Sequence, residues 1–463
     1  MRATTIEFDR DLLQRYGGRG PRYTSYPPAS QFHDGFGEAD YRRHVTQSNE
    51  YPIPAALSLY VHIPFCESLC YYCGCTKVVT RHREQASEYL QKLFLEIALQ
   101  GSLFDADRSV QQLHLGGGTP NFLDAKEMRS LMDCLRAHFS MSGNTNQEYS
   151  IEVDPRGATQ ESIFQMAELG FNRISFGVQD FDPRVQEAVN RIQPAEVTER
   201  VVRWAREAGF GSVSIDLIYG LPFQSVESFD STLEQTLAIR PDRLAVYSYA
   251  HLPEMFKAQR LIKAETLPTP DEKLALLELT VEKLPGAGYR YIGMDHFALA
   301  DDELVVAQEE GQLHRNFQGY STHAYCDLVG LGISAIGNIA DCYSQNEKHI
   351  KTYGAFLDEG VLPLVRGIEL SADDRLRRDV IQGLMCDGVV AFPLLERKYA
   401  IGFEDYFNAE LEILDSLEED GLVTVGADAI EVTPCGRLLV RAIASVFDGY
   451  LNPSSNQRFS SFV

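Results

Sequence analysis

The chain has 463 residues, 44% hydrophobic and 23% charged, with a formal net charge of −24, long enough for one large domain and a smaller one. That acidity excludes a nucleic-acid backbone as partner, because such binding rests on Lys and Arg neutralising phosphates. No apolar run approaches the roughly 18 residues that span a bilayer, and Met1–Asp9 lacks the apolar centre of a signal peptide. The expectation is a cytoplasmic protein acting as a monomer. Nine cysteines, an odd number, suit a reducing compartment better than a disulfide framework.

Residues 1–50 read as an N-terminal arm. Its segment Arg19-Gly20-Pro21-Arg22-Tyr23-Thr24-Ser25-Tyr26-Pro27 is basic, aromatic and rich in turn residues, which suits a flexible lid. Residues 51–368 read as a parallel α/β unit with an extension, since short β-branched runs alternate with helical patterns. Strands are predicted at Leu57–Phe65, Gln112–Leu115, Tyr149–Val153, Arg173–Val178, Val213–Ile218 and Arg243–Tyr249. Between them lie amphipathic stretches such as Ala195–Ala208, where Val197, Val201, Val202, Trp204 and Ala205 recur at helical spacing. Gly170, Gly209 and Gly288 each precede an aromatic residue and mark helix C-termini. Six such units predict an open six-stranded (β/α)6 partial barrel.

Residues 369–450 change character. Helices at Ser371–Met385, Phe407–Glu419 and Gly436–Phe447, with a hairpin near Val423 and Ile430, predict a mainly helical, winged-helix-like domain. Residues 451–463 read as a flexible tail.

In parallel barrels, chemistry gathers at the C-terminal ends of strands, and every motif here obeys that rule. The first strand leads into Cys66, Cys70, Cys73 and Cys75. The C-x3-C-x2-C spacing of Cys66, Cys70 and Cys73 is the pattern that grips three corners of a [4Fe-4S] cube, leaving one iron open to S-adenosylmethionine (SAM). This loop resembles that of the radical SAM superfamily. A zinc knuckle, a redox pair or buried thiols are the alternatives, but no second cysteine pair or C-x-x-H follows nearby. Cys75 is expected beside the site and not on iron, and His62 as a buried, hydrogen-bonded histidine. Gly116, Gly117 and Gly118 follow the second strand and let backbone amides approach a ligand. Glu152 and Asp154 end the third, Gln179 and Asp180 the fourth, Asp216 lies in the fifth, and Tyr249-Ala250-His251 end the sixth. Candidates to meet an acidic small molecule are Arg15, Arg19 and Arg22, then Lys77, Arg81 and Arg83, and Arg315; Asp295-His296 and His314-Arg315 could handle protons or carboxylates.

Longer strings carry a closer resemblance. Arg22–Pro27, Tyr60–Cys66 with Cys73-Gly74-Cys75, Gly116–Pro120, Ile151–Pro155, Gly177–Phe181, Ile215–Pro222, Tyr249–Pro253, Gly293–Phe297 and His314–Tyr320 together resemble the oxygen-independent coproporphyrinogen III oxidase family, over about residues 15 to 450. The resemblance implies decarboxylation of two propionates of coproporphyrinogen III to vinyls, giving protoporphyrinogen IX, with two SAM molecules consumed. It implies metal ligands Cys66, Cys70 and Cys73, a cluster-bound SAM at Tyr60, Gly117, Glu152 and Ile336, and a second SAM at Tyr72, Gly118, Thr119, Gln179, Arg191, Asp216 and Ala250. It also implies an electron donor and an electron acceptor. A haem chaperone of the same superfamily is the alternative, as is a haem-degrading radical SAM methyltransferase. The chaperone usually lacks a cysteine at the position of Cys75, and the N-terminal Arg-Tyr-Thr-Ser-Tyr-Pro arm counts against both.

Overall fold

The computed structural model describes residues 5–141, 147–323 and 325–451. Six parallel strands follow the predicted order: β1 (Leu57–Ile63), β2 (Val110–Gly117), β3 (Glu148–Val153), β4 (Arg173–Gln179), β5 (Ser212–Tyr219) and β6 (Arg243–Ser248). Each pairs in parallel with the next. The predicted helix at 195–208 forms over Ala195–Glu207 and buries Thr198, Val201, Val202 and Ala205. Trp204 is half-buried against the same core, its ring under the Arg200 guanidinium. Gly170 and Gly209 end their helices at φ +104° and +90°, a region that a side chain disfavours, and Phe171 and Phe210 fold back into the core.

The sheet is longer than the sequence patterns predict. Beyond β6 lies an antiparallel hairpin of β7 (Tyr289–Gly293) and β8 (His296–Leu299). Beyond β1 lies β9 (Asp327–Leu331), parallel to it, then antiparallel β10 (Ile336–Ile339), β11 (Cys342–Asn346) and β12 (Leu364–Glu369). The order is β12-β11-β10-β9-β1-β2-β3-β4-β5-β6-β8-β7. These added strands carry the sheet as far as Glu369. At the opposite end of the sheet from the cysteine loop, a buried ion pair ties the sheet together: Arg108 Nη2 meets Asp327 Oδ2 at 2.5 Å, with side chains 2% and 9% exposed. Removing one partner of such a pair costs about 3–5 kcal/mol, because the other charge is left buried alone.

The arm differs from the expected flexible lid. Tyr23 and Tyr26 are each 1% exposed. The Tyr23 hydroxyl donates to Asp448 Oδ2 at 3.0 Å, the Tyr26 hydroxyl accepts from the Gly449 amide at 2.9 Å, and Arg441 donates to the carbonyls of Gly20 and Pro21. Aromatic rings of this size bury too much apolar area to stay loose when sockets are present. The helix at Glu38–Asn49 packs on β10 and β11. Helices Ala372–Gln382 and Asn408–Glu419 appear as expected, with a three-stranded sheet of Val389–Ala391, Ala429–Val432 and Val423–Val425. The last predicted helix splits into a 3-10 turn at Gly436–Leu439 and a helix at Val440–Ser445. One hydrophobic cluster joins Leu13, Tyr23 and Tyr26 of the arm, Ile292, Ala298 and Leu304 of the barrel extension, and Leu376, Phe403, Phe407 and Phe447 beyond residue 369. The arm's first four residues and the predicted tail from 452 onward lie outside the described residues. Among the described residues, no helix is long and apolar enough to cross a membrane.

Candidate active site

The cysteine loop leaves β1 and is pinned at several points. His62 is buried, its Nε2 2.9 Å from the Thr76 carbonyl and its Nδ1 3.1 Å from the Tyr60 hydroxyl. A carbonyl only accepts, so Nε2 carries the proton and Nδ1 accepts from Tyr60, a neutral tautomer that burial favours by lowering the histidine pKa. The loop's far side is held by Asn190 Nδ2 on the Leu69 carbonyl, Gln259 Nε2 on the Tyr72 carbonyl and Lys77 Nζ on the Cys73 carbonyl. Gly117, at φ +115°, lies on the His62 ring, where a Cβ would sit 2.6 Å from Cε1; at Gly118 a Cβ would sit 2.5 Å from the Pro64 carbonyl oxygen. Only glycine fits this ridge.

Above the strand ends opens a cavity of about 620 Å³, lined by Cys66, Cys70, Cys73 and Cys75 on one wall. Thr119 Oγ1 donates to the Cys66 sulfur at 3.4 Å; Arg191 Nη1 and Arg156 Nη2 approach the Cys70 sulfur at 3.6 and 3.9 Å. Burial raises the Cys66 thiol to about 11, whereas the Cys75 hydrogen bond, aided by Lys77, lowers Cys73 to about 5. Among the described residues, no three His, Cys, Asp or Glu side chains gather tightly enough for a lone metal ion. Cys66, Cys70 and Cys73 line the same cavity, with Thr119 donating to the Cys66 sulfur and Arg156 and Arg191 to that of Cys70, and three thiol donors at this sequence spacing fit an iron–sulfur cube.

Opposite the thiols, Glu152 accepts from the Gly117 amide at 3.2 Å and pairs with His114 Nε2 at 3.1 Å. Burial opposes its charge, but His114 and that amide outweigh it and hold the carboxyl below its ordinary value. Burial also opposes Asp154, which Arg191 and then Arg156 pull down to about 2. Among the described residues, Asp216 has only Ser175 Oγ as a hydrogen-bond donor, at 3.2 Å; burial and then the Glu152 charge push it up to about 7. A β-bulge in β4 between Gly177 and Gln179 puts Gln179 at φ +75° and turns it to the cavity. Arg191 donates to the Gly177 carbonyl that the bulge frees.

The structure thus gathers Tyr72, Gly117, Gly118, Thr119, Glu152, Gln179, Arg191 and Asp216 around one cavity with the three cysteines, and Lys77, Arg81 and Arg83 at its rim. Ala250 lines a smaller neighbouring cavity with Arg19 and Arg22. Tyr60 and Ile336 line neither: Tyr60 stacks on His114 beneath the floor, and the Ile336 backbone lies against Gly330, the strand partner of Tyr60. Arg15 is at the surface, paired with Asp420. Arg156 and Ser175 are additions that the sequence reading omits. The Pro155 turn directly after β3 could have signalled Arg156, and the two-residue alternation with Gly177 could have signalled Ser175.

The pattern of the Radical SAM superfamily matches residues 60–236. Over 459 residues, 99% of each chain, the sequence is 50% identical to the oxygen-independent coproporphyrinogen III oxidase of Pseudomonas aeruginosa. It is 48% identical to that of Escherichia coli over 464 residues, 100% of each chain. The chain belongs to the oxygen-independent coproporphyrinogen III oxidase family. The solved coproporphyrinogen III oxidase of Escherichia coli, a radical SAM enzyme, superposes with a TM-score of 0.92 at 48% identity, covering 96% of this chain and 100% of that one. The α/β partial barrel with a helical C-terminal part is the fold of that oxidase, and the match favours it over the haem-chaperone reading.

Proposed function

We propose that this chain converts coproporphyrinogen III to protoporphyrinogen IX by oxidative decarboxylation of two propionates to vinyls, with a [4Fe-4S] cluster and SAM as cofactors. The observation that carries this reading is one cavity that holds the three-thiol loop, Arg191 beside Cys70, and the carboxylates of Glu152 and Asp216, in a chain matched over 99% of its length by an oxidase of that name. When bound, the cluster and SAM supply a carbon radical able to remove hydrogen from an unactivated propionate β-carbon, which no acid or base of the chain could attack.

The chain's own part is holding and shielding. Cys66, Cys70 and Cys73 would hold the cluster as thiolates, with Thr119 donating to the Cys66 sulfur and Arg156 and Arg191 to the Cys70 sulfur. Glu152 and the Gly117 backbone would meet the amino and carboxylate groups of the cluster-bound SAM, with Tyr60 supporting that site from beneath through His114, the partner of Glu152, and Ile336 beside Tyr60's strand partner Gly330. Tyr72, Gly118, Thr119, Gln179, Arg191 and Asp216 would hold a second SAM in the large cavity, with Ala250 bordering it from the neighbouring smaller one, so that each propionate meets its own radical. Every vinyl formed releases a hydrogen atom, CO2 and one further electron, so the partners include an electron acceptor as well as the donor that reduces the cluster. An oxygen-sensitive cube and unpaired thiols suit the reducing cytoplasm.

The test is an anaerobic assay of reconstituted protein with a reductant, SAM and coproporphyrinogen III. Protoporphyrinogen and 5′-deoxyadenosine should appear together. Stoichiometric haem binding without any change in the substrate would overturn the reading in favour of a chaperone.

A further inference from the structure

A second cavity, of about 200 Å³, adjoins the first at the end of β6: Tyr247 lines the large cavity and Ser248–Leu252 line the small one. It holds about as much space as seven liquid waters and falls below the roughly 300–1,000 Å³ of whole-ligand pockets. It admits a side arm and no macrocycle. Its walls carry Arg19, Arg22, Lys273 and Arg441 against a single carboxylate, Asp295, which Arg22 already binds at 2.5 Å. Arg441 is turned to the carbonyls of Gly20 and Pro21. Lys273 Nζ donates to the Tyr249 carbonyl at 2.9 Å and stands over the Tyr219 ring, and among the described residues it has no ion-pair partner.

We infer that this cavity is a carboxylate subsite that seats a propionate of the substrate other than the one being oxidised, with Lys273 and Arg19 as its specificity-determining cations. The inference rests on the decarboxylase reading above, since only a multiply carboxylated macrocycle reaches both cavities at once. A porphyrinogen whose reacting arm lies in the large cavity must place its other carboxylates at the rim, and each needs a paired cation to leave water. The excess of positive charge at the end of β6 supplies that pairing. Burial holds Lys273 down to about 8, as expected for an ammonium group that lacks its anion.

The test compares wild type, Lys273→Gln, Lys273→Arg and Arg19→Gln, each reconstituted and checked for iron content and thermal melt. In the anaerobic assay Lys273→Gln and Arg19→Gln should raise KM for coproporphyrinogen III tenfold or more, leave KM for SAM unchanged, and lose less in Lys273→Arg. Fluorescence titration with coproporphyrin III should weaken in parallel, whereas its tetramethyl ester, which carries no carboxylate, should bind all four proteins alike. Arg19 is exposed, so its variant reads the subsite even if Lys273→Gln fails to fold. Wild-type turnover with unchanged coproporphyrinogen KM in the variants overturns the subsite alone. A rise in KM for SAM in its place assigns the cations to the methionine carboxylate and also overturns it. Wild-type protein that leaves coproporphyrinogen unconverted overturns the decarboxylase reading itself.

Discussion

Cys75 is an exposed residue just past Cys73, with the two thiols hydrogen-bonded to each other, and it is the one cysteine of the loop whose removal should be harmless to the cluster. Ser in place of Cys66, Cys70 or Cys73 should abolish the four iron and four sulfide of the reconstituted protein, as read by iron and sulfide analysis. Cys75→Ser should keep them; loss as complete as in Cys66→Ser would remove the three-ligand assignment. Asp216 offers a pH test. Below about 7 its carboxyl holds its proton and is neutral; above, it is ionised. Affinity for the cationic SAM should therefore rise as pH passes upward through about 7, and Asp216→Asn should flatten that rise in calorimetric titrations. At this scale the sequence was informative wherever a residue type at one spacing has a single chemistry, as at Cys66, Cys70 and Cys73. It was less explicit on Arg156: the Pro155 turn puts it directly after β3, but only the fold turns it toward Cys70.

Among the elements, the glycine ridge after β2 has the tightest fit. A methyl group at Gly118 meets backbone atoms of Pro64, which cannot swing aside as a side chain could. Gly118→Ala should cost about 1–3 kcal/mol of stability, the usual cost of overpacking, and should lower iron retention because Pro64 leads directly into Cys66. A melt and iron content equal to wild type would show that the loop has slack. The six parallel strands were legible because apolar residues recur at every second position, as Leu57, Leu59, Val61 and Ile63 do around Ser58, Tyr60 and His62. β10 and β11 were not. Their residues, such as Asn338, Ser344 and Asn346, are polar groups satisfied inside the fold: Asn346 Nδ2 donates to the buried Glu96 at 2.6 Å, and no local pattern announces a partner 250 residues away.

For the whole molecule, the core shared by arm, extension and C-terminal part predicts one cooperative unit. Tyr23→Ala should destabilise the protein by about 3–5 kcal/mol, the range for truncating a large buried ring, read as a shift in the urea midpoint. Deleting residues 1–28 should empty the sockets of Tyr23 and Tyr26, so the melt and the iron content should fall together. Retention of both would restore the arm to the role of a loose lid. The arm's turn-rich, basic composition suggested motion because composition cannot reveal that Asp448 and Gly449 wait at the other end of the chain.

That long-range clasp also sets an order of events during synthesis. Tyr23 reaches Asp448 across 425 positions and Arg441 reaches Gly20 across 421, so the arm has no seat until residues 441 and 448 have been made and have left the ribosome. The barrel and its cysteine loop are complete in sequence long before, and domains generally fold as they emerge. On stalled ribosomes, nascent chains ending near residue 400 should therefore leave the arm open to protease while the barrel resists it. The wall of the smaller cavity formed by Arg19, Arg22 and Arg441 is therefore the last part of the strand-end surface to be assembled.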